Sequence, residues 1–125
     1  MPVIKEIWVD SLPDNCPALQ VTQGNKHEIY YSRERLGNLS NDLFQFIRSH
    51  ELAHIKFDTD DEIQCDAWAF YECMSKGIST HRAIEAISRI LDFEHPNPDV
   101  KAFNWLRFQK QEERALLYEQ LQKNI

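Results

Sequence analysis

The sequence predicts an α+β fold: a small antiparallel N-terminal sheet packed on a helix that carries His50-Glu51-Leu52-Ala53-His54, followed by three further helices. Three observations lead there. β-branched and aromatic residues crowd the first third of the chain. From Leu43 onward, apolar residues recur at spacings of three and four. Glycine and proline then cut that helical remainder into pieces.

Val3-Ile4-Lys5-Glu6-Ile7-Trp8-Val9 reads as the first strand, and Pro13 and Pro17 mark the loop after it. Leu19-Gln20-Val21-Thr22 alternates, Gln23-Gly24-Asn25-Lys26 turns, and Glu28-Ile29-Tyr30-Tyr31 resumes, which predicts a hairpin. Ser40-Asn41-Asp42 is a helix start with Ser40 at the N-cap, and the helix should end near Phe57. A second helix should run from about Glu62 to a stop at Gly77. Ser79 or Thr80 opens a third, with Ile84, Ile87 and Leu91 on its apolar face. His81 in its first turn reads as a surface residue. His95-Pro96-Asn97-Pro98 breaks the chain, and Pro98 or Asp99 opens a final helix with Val100, Phe103, Leu106, Leu117 and Leu121 turned inward.

A chain of 125 residues predicts one domain, 1–125, long enough for a core without covalent staples. The net charge of −6 and the lack of a basic stripe argue against nucleic-acid binding. No apolar run reaches the roughly eighteen residues of a membrane span, and the N-terminus lacks a signal-peptide shape. Cys16, Cys65 and Cys73 are odd in number and form no CxxC pair. Cys65 and Cys73 would stand roughly 12 Å apart on one helix, too far for a disulfide. Three free thiols in a reducing cytoplasm are therefore expected.

The chemistry concentrates in His50-Glu51-Leu52-Ala53-His54. Positions i and i+4 lie one above the other on a helix, so the two imidazoles can share one Zn²⁺. Glu51, beside them, can take a proton from a metal-bound water. The motif would occur by chance in on the order of one or two per hundred such chains, so its surroundings decide. Leu43, Phe46, Ile47, His50, His54 and Phe57 form one stripe, which places both histidines on a buried line. Read as core residues, the pair would be two buried polar groups, each needing its own partner, whereas one shared metal satisfies both.

A catalytic zinc needs a third protein ligand and an open fourth position. After His54, seven residues lead to Glu62, room for a turn and an antiparallel second helix. Glu62 and Asp66, at i and i+4, would then face His54 and His50. Glu62 is the first candidate for third ligand, with Asp66 behind it accepting a ligand histidine's other N–H. Asp60 and Asp66 are rival third ligands. Asp58, Asp60, Asp61 and Glu62 also suit a helix start electrostatically, which does not conflict with a ligand role for Glu62.

His50-Glu51-Leu52-Ala53-His54 with Glu62-Ile63-Gln64-Cys65-Asp66-Ala67-Trp68-Ala69 resembles the HExxH and ExxxD motifs of gluzincin peptidases, above all the HtpX-like and CaaX-prenyl-protease group. The likeness extends to His95-Pro96-Asn97-Pro98-Asp99-Val100-Lys101, similar to that group's His-Pro element, with Lys101 where the group has arginine. The ImmA-like metallopeptidases are a second resemblance. The resemblance implies a zincin-like fold, one Zn²⁺ on His50, His54 and Glu62, Glu51 as catalytic base, Asp66 supporting the ligands, and a peptide or protein substrate. His95 is then the first candidate for a second electrophile at the oxyanion; its competing role is to cap its own loop. The expected activity is zinc-dependent hydrolysis of peptide bonds. Two other readings stay open: a catalytically silent zinc-stabilised protein-binding module, and a metal-free helical adaptor.

Overall fold

A computed structural model describes residues 3–123. The fold is α+β, and the chain divides into two compact units, Met1–Ser40 and Asn41–Ile125.

The first unit is a three-stranded sheet. Strand β1 (Val3–Val9) leads through a single 3₁₀ turn at Pro13–Asn15 to β2 (Ala18–Gln23), and β3 (Lys26–Ser32) follows. The expected hairpin joins β2 and β3 around Gly24, whose φ of 59° is a conformation that glycine adopts without steric cost. The expectation of a purely antiparallel sheet is corrected. The strand order is β1-β3-β2, and β1 pairs parallel with β3 from Val3↔Lys26 to Val9↔Ser32. The segment from Asp10 to Pro17 carries the chain past one strand position, so the returning β3 fills the central slot in the direction of β1. The edges are thus β1 and β2. Tyr31 on β3 donates its hydroxyl to Glu6 Oε1 on β1 at 2.8 Å. A one-turn helix, α1 (Arg33–Leu36), which the pattern reading did not foresee, follows directly, with Ser32 Oγ accepting the Arg35 N–H at 3.2 Å.

The second unit is four helices: α2 (Asn41–Lys56), α3 (Glu62–Ser75), α4 (Thr80–Ile90) and α5 (Pro98–Lys123). Their ends follow local chemistry. Asp61 caps α3 by accepting the N–H groups of Ile63 and Gln64. Gly77, at φ 80°, closes α3 while Ile78 N–H reaches back to Cys73 O at 3.0 Å. Ser79 caps α4 through the Arg82 N–H. Leu43, Phe46, Ile47, Ala53, Cys65, Ala69, Phe70, Cys73, Ala83, Ala86 and Ile87 are buried. His50 lies on that buried side of α2, whereas Phe57, placed on it by spacing, is 38 % exposed beyond the helix end. His81 is exposed.

The orientation of α5 differs from the expected one. Val100, Phe103, Leu106, Leu117 and Leu121 are exposed, and the buried line is Asn104, Arg107, Gln111 and Ala115. The apolar stripe was the wrong guide because this interface is held by hydrogen bonds. Asn104 Nδ2 donates to Asp92 O at 2.9 Å, and Gln111 Nε2 to Ala83 O at 3.0 Å. Arg114 donates to Gln111 Oε1 at 2.9 Å and Ile63 O at 3.3 Å. A buried polar group that keeps its partner costs little, and one that loses it is expensive.

The two faces of α5 can be told apart by urea denaturation in dilute solution. Gln111→Ala, which empties a fully buried position and breaks two contacts, should destabilise by about 2 kcal/mol. Leu117→Ala should change stability by no more than about 0.5 kcal/mol. The reverse ranking would restore the apolar stripe as the inner face.

Candidate metal centre

The α2–α3 pair runs antiparallel, as two contacts show. His54 Nε2 lies 2.7 Å from Glu62 Oε1, and one turn earlier on α2 and later on α3, His50 Nδ1 lies 2.8 Å from Asp66 Oδ1. The turn that allows this ends α2 with a left-handed residue that is not glycine. Asp58 has φ 47°, Asp58 N–H bonds Ile55 O at 3.3 Å, and Thr59 N–H bonds His54 O at 3.2 Å. Aspartate tolerates this conformation better than most side chains. The same turn brings Thr59 O to His54 Nδ1 at 2.7 Å. A neutral His54 that keeps its proton on Nδ1 for Thr59 directs the Nε2 lone pair to the other side.

There His50, His54 and Glu62 form a group that could hold a metal ion, one donor atom from each lying within 4.8 Å of the others. His50 Nε2 and His54 Nε2 are 3.1 Å apart, and Glu62 Oε2 is 3.4 Å from His50 Nε2. His50 is buried and His54 and Glu62 are half-buried, so the group opens to one side. Glu51, half-buried, follows His50 directly in α2.

The other residues singled out by sequence fall into different places. Asp66 is fully buried behind His50. The contact between them is short, although the ring N–H does not point along it. Asp60 is exposed and stands outside the group. His95 lies in the loop before α5, where its Nδ1 accepts the Asn97 N–H at 3.0 Å, and it is likewise not part of the group.

Sequence reasoning missed Arg107. It projects from the buried line of α5 and donates Nε to Asp66 Oδ2 at 2.7 Å and Nη2 to Asp66 Oδ1 at 2.8 Å. Its Nη1 also lies 3.2 Å from Glu62 Oε2. This planar two-pronged contact is one that lysine cannot reproduce. Lys101, the basic residue of the His-Pro element, pairs instead with Glu94 at 3.8 Å. A signal for Arg107 did exist in the sequence: an aspartate on the buried face of a helix needs a cation, and Asn104, Arg107, Gln111 and Arg114 share a face at spacings of three and four.

The electrostatics follow from this arrangement. Burial raises the Asp66 carboxyl, but the Arg107 fork and His50 outweigh it and hold the group below its ordinary range. Burial likewise opposes ionisation of Glu62, and His50, His54 and Arg107 overcome it and hold it well below the usual carboxylate range. Burial disfavours protonation of His50, yet Asp66 and Glu62 push its pKa up to about 9. The Cys65 thiol and then Glu62 push His54 up to about 11. Without a metal, the carboxylates thus favour protonation at this pair of imidazoles, whose Nε2 atoms stand 3.1 Å apart.

Compared with family models, curated proteins and solved structures, the chain has no match.

Two outcomes are expected. Arg107→Gln leaves the buried Asp66 charge without its main partner, which should cost about 3–5 kcal/mol of stability. Asp66→Asn and Arg107→Gln combined should cost clearly less than the sum of the two, measured by denaturation. Additive losses would mean the two side chains do not act as a pair.

The second outcome concerns pH. Raised histidine pKa values stabilise the metal-free fold fully below 6.5 and lose that effect as pH rises through about 9 for His50 and about 11 for His54. The lowered Glu62 stabilises above 4.5 and loses its effect as pH falls below that. A metal must displace the imidazole protons, so its apparent affinity should climb with pH between about 6.5 and 9, with up to about two protons released per ion. Calorimetry in buffers of different ionisation enthalpy measures that release. An affinity independent of pH over this range would refute the ligand set.

Proposed function

We propose that this chain is a zinc-dependent peptidase that hydrolyses peptide bonds with a metal-activated water and Glu51 as general base. The observation that carries the reading is the convergence of His50 Nε2, His54 Nε2 and a Glu62 oxygen beside the one glutamate that the HExxH pattern places next to them. The donor set suits zinc. Imidazole and carboxylate ligands at about 2.0–2.2 Å in a tetrahedron stand about 3.3–3.6 Å apart. The two Nε2 atoms stand 3.1 Å apart, Glu62 Oε1 is 2.7 Å from His54 Nε2 and Glu62 Oε2 is 3.4 Å from His50 Nε2. With one donor atom per residue the three lie within 4.8 Å of one another, so a modest adjustment of these side chains makes room for the ion.

When bound, Zn²⁺ supplies an acidified water and a positive charge facing the substrate carbonyl. The chain's own residues do the rest. His50, His54 and Glu62 would hold the ion, and the half-buried His54 and Glu62 leave the group open to one side. Glu51 accepts the proton of the attacking water and passes it to the departing amine. Asp66 lies 2.8 Å from His50 Nδ1, on the side of the ring away from the group, and Arg107 keeps Asp66 ionised and fixed. Glu62 and Asp66 bring two negative charges and Arg107 one positive. With Glu51 protonated these residues carry one net negative charge, so the site with a divalent ion bound would keep one positive charge to favour a developing oxyanion. His95 remains the candidate second electrophile. With Nδ1 accepting from Asn97, a neutral ring carries its proton on Nε2 and can donate it. No described helix is long and apolar enough to cross a membrane. Cys16, Cys65 and Cys73 are free thiols, which favours a reducing cytoplasm.

Glu51→Gln keeps the shape and the three ligands and removes the base. It should retain one metal per chain and lose peptide hydrolysis by about 10²- to 10⁴-fold. Equal cleavage by both proteins would sink the assignment. A wild-type protein that holds zinc but cleaves nothing in a broad library of unfolded peptides would make the silent zinc-stabilised binding module the better reading.

A further inference from the structure

Helix α5 carries a second line of residues whose apolar members the fold leaves exposed, with Lys110 half-buried among them. Phe103, Leu106, Lys110, Glu113 and Leu117 follow one another at spacings of three and four, the a/d rhythm of a two-helix seam. Phe103 is 38 % exposed, Leu106 39 %, Leu117 51 % and the adjoining Leu121 55 %. At about 100° per residue, this line lies roughly a quarter-turn or more from the buried line of Asn104, Arg107, Gln111 and Ala115. It contains neither Arg107 nor any residue of the metal group.

We propose that this stripe is the interface of a symmetric antiparallel dimer of the chain. What supports it is the order of residues along the line: read from the other end, it keeps its apolar flanks and exchanges lysine for glutamate, so it is complementary to its own reverse. A two-fold axis passing between Lys110 and Glu113 sets Leu106 against Leu117 of the second copy and Phe103 against the second copy's last turns at Gln120 and Leu121. It sets Lys110 against Glu113 of the second copy, and does so twice. Such an isologous contact uses the same patch on both chains, which a self-complementary stripe satisfies. Parallel pairing would bring Lys110 onto Lys110 and Glu113 onto Glu113, which is repulsive. Charge complementarity therefore selects a second copy and fixes its direction. α5 spans 26 residues, about 39 Å, and the stripe occupies the part of it from Phe103 onward. With charges in its central layers the dimer is a weak one, with a dissociation constant on the order of 10 µM.

The test is sedimentation equilibrium of the full chain up to about 300 µM, well above that constant. Wild type should associate to a dimer. Lys110→Glu and Glu113→Lys each place like charges opposite one another at two positions, and each should weaken association by about tenfold or more. Mixing those two variants restores both opposite-charge pairs, so the mixture should dimerise although neither component does alone. The chain carrying both substitutions should dimerise like wild type. All four proteins should bind the same amount of metal and give the same helical circular dichroism. A wild type that stays monomeric overturns the proposal. So does a dimer indifferent to either reversal, or a mixture that fails to recover. The first result would leave the stripe to a different protein.

Discussion

The carboxylate of Asp66 is the constraint on which the second unit turns. It is fully buried, and a bare charge there would be untenable. It is satisfied from two directions: His50 on α2 approaches one side, and the Arg107 fork from α5 closes the other. One side chain thereby fixes the rotation of three helices about their axes. The candidate metal ligands inherit that rotation, since His50 touches Asp66 and Glu62 touches Arg107. An apolar residue at this position could fill the same space and pack as well. It could not set the azimuth of α5, because dispersion contacts are tolerant of rotation and a bidentate hydrogen bond is not.

The pair also bears on what a metal does for stability. In the metal-free state, His50 and His54 meet Glu62 and Asp66 from the front while Arg107 pairs with them from behind. A divalent ion held by the histidines and Glu62 would replace only the front half of this arrangement. The back half does not depend on it, so the helices are already rotated for such a site without an ion. Such pre-organisation spares the site much of the ordering cost that small metal-dependent folds meet at the moment of binding.

Much of this was legible in the sequence, and the exceptions have a common cause. Gly77, Ser79, Asp61 and the Asn97-Pro98 break act within a few residues of themselves, so the helix limits could be read from local chemistry. The grouping of His50, His54 and Glu62 was approachable for the same reason: helical spacing and a short turn place them. What escaped depends on distant parts of the chain. The parallel pairing of β1 with β3 is decided by which slot the returning strand fills, and no local signal records that. The inner face of α5 was misread because periodicity arguments assume that buried means apolar. Here Asn104, Arg107 and Gln111 are buried because Asp92 O, Asp66 and Ala83 O wait for them.

The left-handed Asp58 that ends α2 has a bearing on the order of folding. His54 and Glu62 are joined by one tight turn, whereas Asp66 and Arg107 are separated by 41 residues. Closing the longer loop costs about 1.4 kcal/mol more in chain entropy. Connectivity therefore favours a nascent helical hairpin with its ligand trio already assembled, while the Asp66 carboxylate still faces water and is hydrated at no penalty. Only when α5 docks is that water expelled and the guanidinium substituted for it. Desolvation of the charge and arrival of its counterion are a single event, so the folding route never has to pass through a buried, bare carboxylate.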